Sequence, residues 1–111
     1  MPRDYKVYLE DIVLAIAKIH RYTSGLSLEA FANDERTLDA VVRNLEVVGE
    51  AIKKVPESVR SKHPEVDWKK VGGLRDILIH EYFGIDLDII WDVVQNKLPA
   101  LEQQVQAILR E

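Results

Sequence analysis

Apolar residues recur at helical spacing along almost the whole chain. In the first segment they form an i, i+3, i+4 stripe, and the charged residues lie largely off it. Gly25 follows this segment and fits the position just beyond a helix, where glycine is favoured. The pattern predicts one long amphipathic helix that ends before Gly25, with the stripe Tyr5, Tyr8, Leu9, Ile12, Val13, Ile16 and Ile19.

A second long helix is predicted after a short connection. Ser27 to Phe31 fits one turn of helix, and Asn33 or Asp34 fits the N-cap of the next. Pro56 is expected to stop that helix. Its apolar stripe is Leu38, Val41, Leu45, Val48, Ile52 and Val55, and Arg43, Glu46, Glu50 and Lys54 form a polar face of their own.

Shorter elements are predicted in the remainder. Asp67-Trp68 can cap and open a short turn, and Gly72-Gly73 indicates a flexible joint. Leu74 to Tyr82 predicts a short helix that ends at Gly84, and Asp86 fits the cap of another helix.

Pro99 interrupts the last apolar run. Its ring clashes with the carbonyl of Gln95, so we expect a kink or break near Asn96–Leu98. No segment alternates with period two, and no hairpin turn signal occurs. The sequence therefore predicts an all-α fold, an antiparallel bundle of four or five helices in a single domain over residues 1–111.

Composition excludes several classes of chemistry. The chain has no cysteine, which excludes thiol catalysis, disulfide frameworks and Cys-ligated zinc. No apolar run approaches the roughly 18 residues that span a bilayer, and no signal-peptide pattern follows the first residues. We expect a cytoplasmic protein without a membrane partner.

Charge is distributed unevenly along the chain. The net charge is −4, but residues 53–75 hold seven basic and three acidic side chains, so this basic segment carries +4 and the remainder −8. A basic patch on an acidic body can meet a phosphate backbone. The alternative is that the basic segment is an ordinary solvated loop.

The octapeptide of residues 75–82, Arg-Asp-Ile-Leu-Ile-His-Glu-Tyr, holds the candidate chemistry. A histidine can shuttle a proton near neutral pH, and a guanidinium can hold a phosphate and the charge that grows on it. On a straight helix, however, Arg75 and His80 point roughly 140° apart. Unwinding near His80, a long reach by Arg75 or a composite site between two copies would each bring them together.

The alternative reading is structural. Leu74, Ile77, Leu78 and Phe83 would then face the core. His80 would be partly buried, and Arg75 would pair with a carboxylate such as Asp76 or Glu50. No metal site is predicted, because the histidines lack ligand spacing and the aspartates after residue 85 fit a helix cap and solvated surface. No cofactor motif is present: Gly72-Gly73 is not a P-loop.

The arrangement Arg–polar–x3–His, with a tyrosine two residues later, resembles the signature of HEPN-domain ribonucleases. More narrowly, the chain is similar to the HepT-like toxins of HepT/MntA toxin–antitoxin systems. The resemblance covers nearly the whole chain and includes the segments 42–51, 67–68, 73–75 and 82–86, together with Trp91 and the Leu98-Pro99 break. The residue after the arginine is often asparagine in that family and is Asp76 here.

The resemblance implies a homodimer that cleaves RNA without a metal, with two Arg–His sets meeting between protomers. It assigns Arg75 to the scissile phosphate and His80 to proton transfer. Asp76, Arg43 and Glu50 would support the site. Tyr82 would line the cleft and accept AMP from a small nucleotidyltransferase, the MntA-like antitoxin. The alternative function is a non-catalytic dimeric binding module that docks a nucleotidyltransferase or a nucleotide.

Overall fold

The structure is a computed structural model that describes residues 4–74, Leu78 and residues 87–111. Within these ranges every regular element is helical, which confirms the all-α prediction. The elements in chain order are α1 (Tyr5–Thr23), α2 (Leu28–Ala32), α3 (Glu35–Lys53), α4 (Glu57–Arg60), α5 (Trp68–Gly72), α6 (Leu87–Asp92), a π-helical segment (Val93–Lys97) and α7 (Leu98–Leu109).

Short polar side chains start four of the helices. In each case the side chain before the helix accepts a hydrogen bond from a backbone N–H of the first turn, which has no partner within the helix. Of the two candidates before α3, Asp34 is the cap, while Asn33 donates through Nδ2 to the carbonyl of Glu29 at 3.0 Å and closes α2. The four caps are Asp4, Ser27, Asp34 and Asp67.

The two long helices form the centre of the bundle. α1 and α3 pack along each other, and their apolar stripes meet in one core that also receives α7. The Lys54 ammonium at the end of α3 lies 5.7 Å from the centre of the Tyr8 ring near the start of α1. The two helices are therefore antiparallel, as the pattern predicts.

The smaller elements pack around this centre. α5 packs on α3, and α2 contacts both α3 and α6. Phe31, which is fully buried, stacks on Trp91 with ring centroids 5.1 Å apart, and this pair joins α2 to α6. Aromatic pairs of this kind add to the stabilisation that burial provides.

The predicted helix ends are confirmed in part. α1 ends before Gly25, which adopts a left-handed φ of +79° that favours glycine. α3 ends at Lys53, and Val55 remains buried beyond the helix. A helix boundary lies at the expected joint, since Gly72 is the last residue of α5 and Gly73 is its C-cap, and the flexibility of this joint stays a prediction. The sequence pattern did not predict α4.

Pro99 is accommodated without an interruption between the helical segments on either side of it. The expected disturbance lies at Val93–Lys97, where the backbone forms a π-helix, and α7 then begins with the proline in its first turn. A proline in the first turn is tolerated because its missing N–H would have no helical partner there. No helix in the described ranges is long and apolar enough to cross a membrane.

Candidate functional site

Four of the six predicted site residues lie outside the described residues. They are Arg75, Asp76, His80 and Tyr82. The angular relation between Arg75 and His80, and the pairing proposed by the structural alternative, therefore stay predictions. The described neighbours of these residues, together with Arg43 and Glu50, give the surroundings of the octapeptide.

Leu74 and Leu78 anchor the octapeptide region to the bundle. Both are helical, Leu78 is only 4% exposed, and Leu74 packs against the core. The prediction that these two leucines face the core is confirmed. Leu74 also lines a crevice of about 280 Å³ with Val93 and Leu98, beside the π-helical segment.

Arg43 and Glu50 share one face of α3, as predicted. They are seven residues apart and line the same groove between α1 and α3, with a volume of about 360 Å³. Tyr8 and Asp11 of α1 form its other wall, and Lys54 lies at its end. The groove thus combines both signs of charge. The supporting role expected of Arg43 and Glu50 toward Arg75 and His80 stays a prediction.

A larger groove lies elsewhere, on the basic segment. Its volume is about 1010 Å³, and it runs between the end of α3, the α4 region and α5. Lys53, Arg60 and Lys69 contribute the basic side chains, and Trp68 forms part of the wall. We call it the basic groove. Its last lining residues are Gly72 and Gly73, immediately before the octapeptide.

The three carboxylates of the basic groove are engaged within the protein. Glu57 Oε2 lies 3.1 Å from Arg60 Nη2, and Glu65 Oε1 lies 3.3 Å from His63 Nδ1. Asp67 caps α5 by accepting from the N–H of Lys70 at 3.1 Å. In the described ranges, Lys53 and Lys69 make no ion pair.

Sequence reasoning missed the part that His63 plays in this region, because it considers the histidines outside the octapeptide only as metal ligands. The imidazole is 12% exposed and lies between two carboxylates, with Nε2 at 3.2 Å from Glu111 Oε1. The backbone carbonyl of His63 accepts a hydrogen bond from Trp68 Nε1 at 2.9 Å, and Gln104 Nε2 donates one to the backbone carbonyl of Glu65 at 3.0 Å. These bonds fix the wall of the basic groove to the end of α7. Contacts across such sequence separations leave no local signal.

Among the residues that the structure describes, no group of three or more His, Asp or Glu side chains is arranged to hold a metal ion.

Comparison with known proteins decides the family. The family model described as "Ribonuclease HepT-like" matches residues 12–108, a span that includes α3, the basic groove and the whole octapeptide. The chain belongs to the ribonuclease HepT-like family. The resemblance inferred from the octapeptide and its flanking segments is therefore confirmed.

Full-length relatives agree with this membership in the HepT-like family. A Methanocaldococcus jannaschii protein named "Putative RNase MJ0127" is 42% identical over 112 residues, covering 100% of this chain and 93% of the relative. "Probable ribonuclease HepT" of Thermococcus cleftensis is 40% identical, covering 97% of this chain and 98% of the relative. No solved structure matches the HepT-like chain significantly.

Proposed function

We propose that this HepT-like protein is the toxin of a toxin–antitoxin system and an endoribonuclease that cleaves RNA without a metal ion. The observation that carries the proposal is that the family match runs through the Arg75–Tyr82 octapeptide, which holds an intact Arg, His and Tyr set. The names of the relatives as ribonucleases support the same activity.

The chemistry uses the 2′-hydroxyl of the substrate. His80 acts as the base that takes the 2′-hydroxyl proton, and the 2′-oxygen forms a bond to the adjacent phosphorus. The bond from phosphorus to the 5′-oxygen breaks, and a second proton-transfer group supplies the proton to that leaving oxygen. The products are a 2′,3′-cyclic phosphate and a 5′-hydroxyl. Arg75 holds the non-bridging oxygens, where charge grows.

A homodimer supplies the second proton-transfer group. Two Arg75–His80 sets that meet between protomers give one cleft a base and an acid, and they remove the need for both side chains to converge from one straight helix. Asp76 would orient a histidine or the partner's arginine. Arg43 and Glu50, which line one groove between α1 and α3, would support the residues that form the cleft.

Neutralisation would occur at Tyr82. A nucleotidyltransferase antitoxin would join the tyrosyl oxygen to the α-phosphorus of ATP, and pyrophosphate would leave. The AMP group adds bulk and negative charge beside a cleft that must accept a polyanion, so it would block RNA. This regulation, and a cytoplasmic location where RNA and ATP are available, complete the proposal.

The test is a ribonuclease assay in excess EDTA, with protein whose intact mass shows an unmodified Tyr82. We expect the wild type to cleave RNA, Arg75→Ala and His80→Ala to lose cleavage, and an RNA with a single 2′-deoxy group at the cleaved position to resist. Sedimentation should show a dimer for all three proteins.

Two outcomes would contradict the proposal. Cleavage that survives both substitutions would place the activity elsewhere. A dimeric wild type with bare Tyr82 that cleaves no RNA would instead support the alternative, a binding module for a nucleotidyltransferase or a nucleotide. Growth arrest on overexpression, relieved by His80→Ala, is the matching expectation in cells.

A further inference from the structure

We infer that the basic groove is the track along which the single-stranded RNA backbone approaches the octapeptide, with Lys53 and Lys69 as its phosphate contacts. The inference rests on the proposed ribonuclease function and names where its substrate lies. It uses only residues that the structure describes, and it places substrate binding outside the Arg–His set.

The first argument is which charged groups of the groove have no ion-pair partner. Its lining holds three basic side chains, Lys53, Arg60 and Lys69, and three acidic ones, Glu57, Glu65 and Asp67. Glu57 pairs with Arg60, Glu65 lies against His63, and the third carboxylate, that of Asp67, caps α5. Lys53 and Lys69 are exposed and line the groove. The groups left to meet a ligand in the groove are therefore the two lysine ammonium groups, which suit phosphates.

The second argument is the position of these lysines. A Cβ atom built on Gly72 would meet Lys53 Cγ at 3.4 Å, so the Lys53 stem lies across the end of α5, the helix that carries Lys69. Helix α5 packs on α3, so Lys53 and Lys69 line the same groove from neighbouring elements. Two lysines on neighbouring helices can hold successive phosphates of one strand.

The third argument is the direction of the groove. Its lining ends at Gly72 and Gly73, and Arg75 follows Gly73 by two residues. Two residues span at most about 7 Å, so the covalent chain keeps the start of the octapeptide beside the end of the groove. The volume, about 1010 Å³, lies at the upper end of the roughly 300–1,000 Å³ of small-molecule sites, so the groove has room for a nucleotide.

The wall of the groove offers an optical probe. Trp68 lines the groove and is held by its indole N–H on the His63 carbonyl, at 2.9 Å. The other tryptophan, Trp91, stacks on Phe31 in the bundle. In a Trp91→Phe protein the fluorescence therefore reports on Trp68 alone.

The experiment measures binding of a fluorescent 2′-O-methyl RNA 12-mer by anisotropy, since this probe cannot undergo 2′-hydroxyl attack. The variant is Lys53→Ala/Lys69→Ala. The control is Lys18→Ala/Arg21→Ala, which removes two exposed charges of α1 and changes the net charge equally. Each phosphate contact to a single strand contributes about 0.7 to the salt slope, so the groove variant should lose about 1.4 in slope and bind roughly 25-fold more weakly at 0.1 M salt.

The control variant should keep both the wild-type slope and the wild-type affinity. In the Trp91→Phe protein, RNA should change the Trp68 emission, and the groove substitutions should remove that change. Equal behaviour of the groove and control variants would overturn the inference. Competition by oligoglutamate as strong as by RNA of equal charge would also overturn it, because the groove would then attract any anion.

The ribonuclease assay separates this inference from the proposed function. If the groove is the track, the groove variant should raise KM on a cleavable RNA and leave kcat near the wild-type value. A wild type that binds the probe through the groove but never cleaves RNA would refute the ribonuclease function only. A wild type that cleaves, with KM unaffected by the two substitutions, would refute the groove only.

Discussion

Leu78→Ala is expected to destabilise the protein strongly, because Leu78 is the described side chain that ties the middle of the octapeptide to the core. The side chain is 4% exposed, so the substitution removes three buried carbon groups worth roughly 0.8 kcal/mol each. The cavity left behind raises the expected loss to about 3 kcal/mol. For a chain of 111 residues this corresponds to a fall in Tm of roughly 13 °C, taking about 2.1 cal/mol/K of unfolding entropy per residue.

The matched control is Leu14→Ala on α1. Leu14 is 61% exposed, so the same chemical change removes much less buried surface, and about 1 kcal/mol or less should be lost. Urea unfolding followed by circular dichroism measures both variants, with equal m-values as the check that the unfolded states are comparable. Equal destabilisation by the two substitutions would refute the reasoning, since Leu78 would then contribute no more than a surface leucine.

Two further predictions concern helix ends. Hydrogen bonds from the Thr37 hydroxyl and N–H hold the pKa of Asp34 below its usual 3.8, so Asp34 stabilises the fold fully above that pH and less as the pH falls through the lowered pKa. The stability advantage of wild type over Asp34→Asn in urea titrations should therefore shrink from pH 5 to pH 2.5, and a constant difference would contradict this cause. Gly25→Ala should cost about 1 kcal/mol, because the φ of Gly25 is +79° and no atom crowds the new Cβ. Gly73→Ala should be neutral or stabilising, because the φ of Gly73 is −81°. The opposite order of stabilities in the same urea assay would contradict this conformational cause.

The long helices were predictable because their apolar stripes repeat over many turns. α1 and α3 each bury one stripe, and the capping residues Asp34 and Asp67 act through bonds within three residues. Such local signals are legible in a sequence. Helix α4 was not predicted, since its four residues bury no side chain and leave no periodic pattern.

The candidate site was predictable as a set of residues rather than as a geometry. Arg75 and His80 are recognisable from their spacing and family resemblance, but spacing does not specify the chain conformation that sets their directions. The shared face of Arg43 and Glu50 follows from helix periodicity alone. The basic groove does not, because its walls come from α3 and α5 and are held by His63 contacts as distant as Glu111.

The π-helical segment makes the length of residues 93–97 matter as much as their identity. Before it, Trp91 is directed at Phe31 of α2; after it, Leu98, Leu101 and Val105 belong to the core that α1 shares. Removing one residue from the segment would leave a continuous helix but rotate one of these sets by about 100° relative to the other. The segment therefore sets the rotation of α7 relative to α6. A one-residue deletion there should be tolerated less well than most substitutions.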